Sequence, residues 1–94
     1  MKKYNVLVLQ ESYDEYTKVI DIETFDKKEL AKVSYQLHVT KYREQFNQVY
    51  EDIEVHDTED GKAISNKDCT DICYIKLIES EYFEATTEIP AWLK

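Results

Sequence analysis

Two histidines, His38 and His56, and two cysteines, Cys69 and Cys73, are the residues of this 94-residue chain best suited to hold a soft metal or to act as base and nucleophile. The cysteines stand four apart in CTDIC, and the histidines lie far from them and from each other. That spacing fits neither C-x-x-C nor H-x₃₋₅-H, and a strand would hold the two thiols about 13 Å apart, beyond the reach of a disulfide. No zinc site and no disulfide are expected, and the thiols read as free, buried side chains. An EF-hand register on DTEDG fails as well. With Gly61 at the sixth position, His56 would be first, Thr58 third and Lys67 last, which removes most of the needed carboxylates. Gly61 is the only glycine, so neither a P-loop nor a dinucleotide fingerprint can be built. Neither G-x-S-x-G nor a Cys–His context surrounds a nucleophile. The chain therefore reads as a non-enzyme without a cofactor or metal.

Carboxylates and tyrosines remain. Twenty acidic against twelve basic residues give a net charge of -8, and the eight tyrosines are unusual in so short a chain. Residues 1–50 carry eight of each sign, and residues 51–94 carry twelve acidic and four basic, so the whole excess belongs to the second half. Direct binding to nucleic acid or to an anionic membrane surface needs a basic patch and is disfavoured there. A basic protein partner is favoured. The candidate contact residues are Glu51, Asp52, Glu54, Asp57, Glu59 and Asp60, with Tyr50 as an aromatic anchor. Carboxylates on a stiff sheet imitate the charge of a phosphate backbone, and tyrosine adds rigid amphipathic contact area. The bland alternative is a solvated acidic surface.

The elements that must position these groups follow from periodicity. YNVLVLQ, residues 4–10, is a near-continuous apolar run and reads as a central strand. Asp14 and Glu15 mark a turn, and residues 17–24 alternate, with Ile20 and Ile22 on one face and Asp21 and Glu23 on the other, as in a half-buried strand forming a hairpin with the first. FDKKEL supplies Asp26 as N-cap, Glu29 as the capping-box partner, and Phe25 and Leu30 as a hydrophobic staple, so a helix is expected from Lys27 to about Asn47. Its polar stripe is Glu29, Lys32, Gln36, Arg43 and Asn47. Leu30, Val33 and Leu37 form an apolar arc that Ala31, Tyr35, His38, Tyr42 and Phe46 widen. Residues 49–57 alternate, with Val49, Ile53 and Val55 inward, and Asp60-Gly61, both able to take positive φ, is a hairpin-turn dipeptide that starts either a second hairpin or a long excursion. Residues 69–79 are apolar on both faces, an interior strand. Ile89, Trp92 and Leu93 are expected to tether an irregular tail broken at Pro90. The expected fold is one domain over residues 1–94, α+β, with a mainly antiparallel sheet of about four strands and one long helix on one face, in the order ββαββ.

In its layout of hairpin YNVLVLQ to KVIDIET, helix FDKKELAKV and strand DIEVHD, residues 4–57 resemble small uncharacterised proteins of phages and prophages in AT-rich bacteria. That resemblance implies a phage-like origin and a protein that blocks a host factor. The apolar run after Met1-Lys2-Lys3 is too short for a secretory core or a bilayer span, so a cytoplasmic location is expected. Joined to the acidic half, these readings suggest a non-catalytic inhibitor of a host nucleic-acid-processing or defence protein. The alternatives are a structural homo-oligomer, such as a homodimer pairing through a sheet edge, and a small-molecule-binding module.

Overall fold

The computed structural model describes residues 2–13 and 16–81; the expected turn at Asp14 and Glu15 and the expected tail contacts of Ile89, Trp92 and Leu93 lie outside the described residues. Five strands and one helix follow in the order β1 (Lys2–Ser12), β2 (Lys18–Phe25), α1 (Lys28–Val49), β3 (Ile53–Thr58), β4 (Gly61–Asn66) and β5 (Asp71–Glu81). The fold is α+β, as expected, with ββαβββ in place of ββαββ. The additional strand is β4, GKAISN, whose one large apolar residue, Ile64, gives no alternation to read. It is nevertheless buried from Ala63 to Asn66 because strands flank it on both sides.

The sheet order is β2-β1-β5-β4-β3, and every neighbouring pair is antiparallel. The two apolar runs, β1 and β5, pair along their full length from Lys2 opposite Glu81 to Ser12 opposite Asp71. Both are interior strands, as their apolar faces require. The chain must then travel from β2 at one edge to β3 at the other, about 19 Å away at the usual strand spacing. The 22 residues of α1 reach about 33 Å, so the helix crosses the sheet obliquely.

Beneath the helix, Val6, Val8, Ile64, Cys73 and Ile75 form the buried floor, and Ala31, Tyr42 and Phe46 form the roof. Ala31 is fully buried, and its small side chain lets the first helical turns lie close to the strands. On the far face Asn5 joins three strands. Its amide donates to Ser80 Oγ at 2.9 Å and its carbonyl oxygen accepts from Thr24 Oγ1 at 2.8 Å.

Several local expectations are corrected. The helix starts one residue late, with Lys27 at the N-cap and no side-chain cap, because the Asp26 carboxylate is drawn to the Lys3 ammonium from β1. Leu30, Val33 and Leu37 are exposed: the helix sits on its Ala31, Ser34, His38, Tyr42 and Phe46 face, which turns that arc outward. Val49 ends the helix, exposed, whereas Val55 faces inward as expected, opposite Ile64, but at the sheet edge stays 39% exposed. The β3–β4 hairpin forms with Glu59 and Asp60 as its two loop residues, since Thr58 faces Gly61 across the ladder. Gly61 has no positive φ. It is required by close approach, because a Cβ there would lie 1.9 Å from the Ile75 carbonyl oxygen.

Candidate functional site

The acidic residues singled out by composition gather around the β3 edge. Glu51 and Asp52 lead into β3, Glu54 and Asp57 lie on it, and Glu59 opens the hairpin loop, all five exposed. Among the described residues β3 has a neighbour on one side only, so these carboxylates lie at a sheet edge. Some are already neutralised. Lys62 Nζ lies 2.6 Å from Asp57 Oδ1, and this ammonium holds the Asp57 carboxyl below its usual range while its own pKa is raised. Asp60 is half-buried and lies 3.5 Å from Lys76 Nζ. Glu54 has a hydrogen-bond partner in His56, whose Nε2 is 3.1 Å away. Glu51, Asp52 and Glu59 have no ion pair among the described residues, so they carry the least compensated charge of the edge.

Tyr50 stands at the helix C-cap and is half-buried. Its ring lies 5.6 Å from that of Phe46 and its hydroxyl donates to the Asp71 carboxylate, which also accepts from Ser12 Oγ at 2.8 Å. The hydrogen bond from Tyr50, with a smaller share from Ser12, holds Asp71 below the usual carboxylate range, and the same bond raises the Tyr50 pKa. Tyr50 thus roots the acidic segment in the fold.

His38, His56, Cys69 and Cys73 do not come together. Cys73 is buried in β5 and burial pushes its thiol up to about 12, so it is no nucleophile near neutral pH. Cys69 is exposed in the β4–β5 turn, with a positive φ of 55°. Its amide donates to the Asn66 carbonyl at 3.1 Å, while the Asn66 side-chain oxygen accepts from the Thr70 and Asp71 amides at 3.0 and 3.1 Å.

A different group does converge. Val6 pairs with Glu23 and Val8 with Asp21, which places both carboxylates on the helix side of β2. There His38, only 9% exposed, directs Nε2 to Asp21 Oδ2 at 2.9 Å and to Glu23 Oε1 at 3.2 Å. Its Nδ1 lies 2.7 Å from the Ser34 carbonyl oxygen, an acceptor, so Nδ1 carries a proton. The ring stacks on Tyr42 with centroids 6.2 Å apart. Burial, the largest influence, pulls the imidazole pKa down, but the Ser34 carbonyl and the two carboxylates outweigh it and leave it raised. The hydrogen bond from His38 in turn lowers Asp21. Among the described residues this is the grouping in which one histidine and two carboxylate donor atoms all lie within 4.8 Å. Of the two alternating faces of β2, the carboxylate face is the one that meets the helix, and Ile22 is 59% exposed on the other.

Sequence reasoning missed the group because alternation shows that two faces differ without showing which one meets the helix. The available hint was His38 on the apolar side of α1, a polar ring that must find partners when buried. Comparison with family models, with curated proteins and with solved structures finds no match to this chain.

Proposed function

We propose that the protein is a non-catalytic binding protein whose acidic β3 edge engages a basic protein surface, of the kind a nucleic-acid-processing protein uses to grip phosphates. The observation that carries this reading is the placement of Glu51, Asp52, Glu54, Asp57 and Glu59 together at one sheet edge. Glu54 and Asp57 stand on opposite faces of β3, with Glu51 and Asp52 before it and Glu59 after it, so negative charge surrounds the strand and steers a cationic partner, an effect that salt screens over about 8 Å at physiological ionic strength. The outer backbone groups of β3, which pair with none of the described strands, add hydrogen-bonding capacity beside the charges. In the inhibitory form of this reading, suggested by the resemblance to small phage proteins, occupation of that basic surface excludes the partner's own nucleic acid.

Asp57, Asp60 and Tyr50 also hold Lys62, Lys76 and Asp71, so the decisive variant spares them. It combines Glu51→Gln, Asp52→Asn, Glu54→Gln and Glu59→Gln, which remove charge and keep side-chain shape. Wild-type and variant baits are exposed to a nuclease-treated bacterial lysate at low and moderate salt. A basic nucleic-acid-handling protein is expected on the wild-type bait at low salt, released as salt rises and absent from the variant. Equal retention by both baits would remove the acidic edge from the mechanism. Recovery of the bait alone, with a mass that grows with concentration, would favour a homo-oligomer.

A further inference from the structure

At the opposite edge of the sheet, we propose that Asp21, Glu23 and His38 form a binding site for one divalent first-row transition ion, Zn²⁺ being the best suited. Three independent features of the chain point there.

The first is the inversion of β2. A half-buried strand normally turns its aliphatic residues to the helix and its carboxylates to water. β2 does the reverse: Asp21 and Glu23 lie on the helix side, while Ile22 is 59% exposed on the other face. The local register is also irregular. Val8 opposes Asp21 and Leu9 opposes Val19, so Ile20 is an extra residue, and such bulges re-aim side chains. Two carboxylates held beside a buried ring and over the valines of β1 favour a cation between them.

The second feature is the tautomer of His38. Metal-bound histidines commonly donate their other ring N–H to a carbonyl or carboxylate, which fixes the ring and leaves the remaining nitrogen as ligand. Nδ1–H is held by the Ser34 carbonyl at 2.7 Å, and Nε2 is the atom aimed at the two carboxylates. Zn–N and Zn–O bonds of about 2.0–2.2 Å set the ligand atoms of a tetrahedral ion about 3.3–3.5 Å apart. The separations of 2.9 and 3.2 Å from Nε2 to the two oxygens need only a small expansion to admit the ion.

The third is charge balance and access. One proton on Nε2 offsets one of the two carboxylates, and Lys41 nearby acts on Asp21 only through space. A divalent ion beside a neutral imidazole offsets both carboxylates. The carboxylate side chains are 37% and 45% exposed, so an ion has an entry path and water can complete the coordination. One imidazole and two carboxylates form a mixed donor set, which suits Zn²⁺ or Mn²⁺ more than the all-oxygen shells of Mg²⁺ and Ca²⁺.

The test is titration of Zn²⁺ into the metal-stripped full chain by calorimetry near pH 7.5, with Mg²⁺ present in excess. Co²⁺ substitution, followed by visible absorption, then reports the ligand type. The expected result is one Zn²⁺ per chain, weakened at least about tenfold by Glu23→Gln and by His38→Gln, the loss expected when a supporting group at a metal site is removed. The expected Co²⁺ spectrum has d–d bands and no thiolate charge-transfer band. Glu23→Gln lies at the exposed side of the group, so its circular dichroism should match the wild type even if His38→Gln fails to fold. Absence of saturable binding, affinity unchanged in Glu23→Gln, or binding lost in Cys69→Ser instead would each overturn the assignment.

Discussion

Gly61 shows how much a single residue settles when a backbone passes close by. It opens β4 opposite Lys76, and the Ile75 carbonyl occupies the space that a Cβ would take, 1.9 Å away, with the Lys76 Cα at 3.0 Å. Both are main-chain atoms of an interior strand, so nothing flexible can yield. Gly61→Ala must therefore push β4 from β5 beside Ile64 and Cys73, both fully buried. Overpacking that shifts backbone costs about 1–3 kcal/mol. The expected outcome is a fall in the denaturation midpoint at unchanged m-value, measured by urea titration. A variant as stable as the wild type would mean that β4 and β5 separate at no cost. A glycine beside an aspartate reads from sequence as a turn, and it is one residue away from being so. The demand came from a strand that follows ten residues later, which local turn chemistry does not encode.

The elements were legible wherever one periodicity dominated. β1 and β5 announce themselves as interior strands because both faces are apolar, and α1 does so because Ala31, Tyr35, His38, Tyr42 and Phe46 recur at three- and four-residue steps. Facing was not legible. β2 alternates aliphatic with acidic residues, and α1 offers an apolar sector wider than the sheet can cover; in each case the face that wins is fixed by contacts with other elements, His38 with Asp21 and Glu23, and Ala31 with the sheet. The acidic residues could be counted in the sequence, but their gathering along one edge follows from the sheet order. How α1 hands over to β3 is testable through the hydroxyl of Tyr50, which ties the helix end to Asp71 on β5. Asp71 is held below its ordinary pKa, so the bond's contribution is complete above the unfolded value of about 3.9 and is lost as pH falls through the folded one. Tyr50 is raised, so its share is complete below about 10 and is lost as pH rises through its own folded value. A hydrogen bond to a charged group contributes about 1.5–3 kcal/mol, less where water reaches it. Tyr50→Phe should then lower the melting temperature by a constant amount between about pH 5 and 9, and the two curves should converge at both extremes. A difference independent of pH would assign the loss to packing alone.

For the whole molecule, the β1–β5 pairing joins what would otherwise be two halves. On one side lies the hairpin of β1 and β2; on the other lies the meander of β3, β4 and β5; among the described residues, α1 and this pairing connect them. Lys2 finds Glu81 and Ser12 finds Asp71, so the pairing closes most of the described chain on itself. Such closure is entropically expensive before the contacts form, and domains rich in it fold in about milliseconds to seconds. Its centre is the Val8–Ile75 pair, both side chains fully buried beneath the helix. Ile75→Ala removes buried volume where both halves and the helix meet, at a cost of about 2–5 kcal/mol. If the pairing makes the protein a single cooperative unit, the loss should be felt everywhere at once. Helical ellipticity and tyrosine near-ultraviolet signals should melt together in the wild type and also in the variant, there at a lower temperature. Separate transitions, with the helix outlasting the tyrosine signal, would show that the hairpin and the meander hold their structure independently and that the pairing only docks them. In that case the acidic edge on β3 and the carboxylate pair on β2 would belong to separately folding parts, and a ligand at one edge could stabilise only its own half. With the pairing intact, a ligand at either edge stabilises the whole chain.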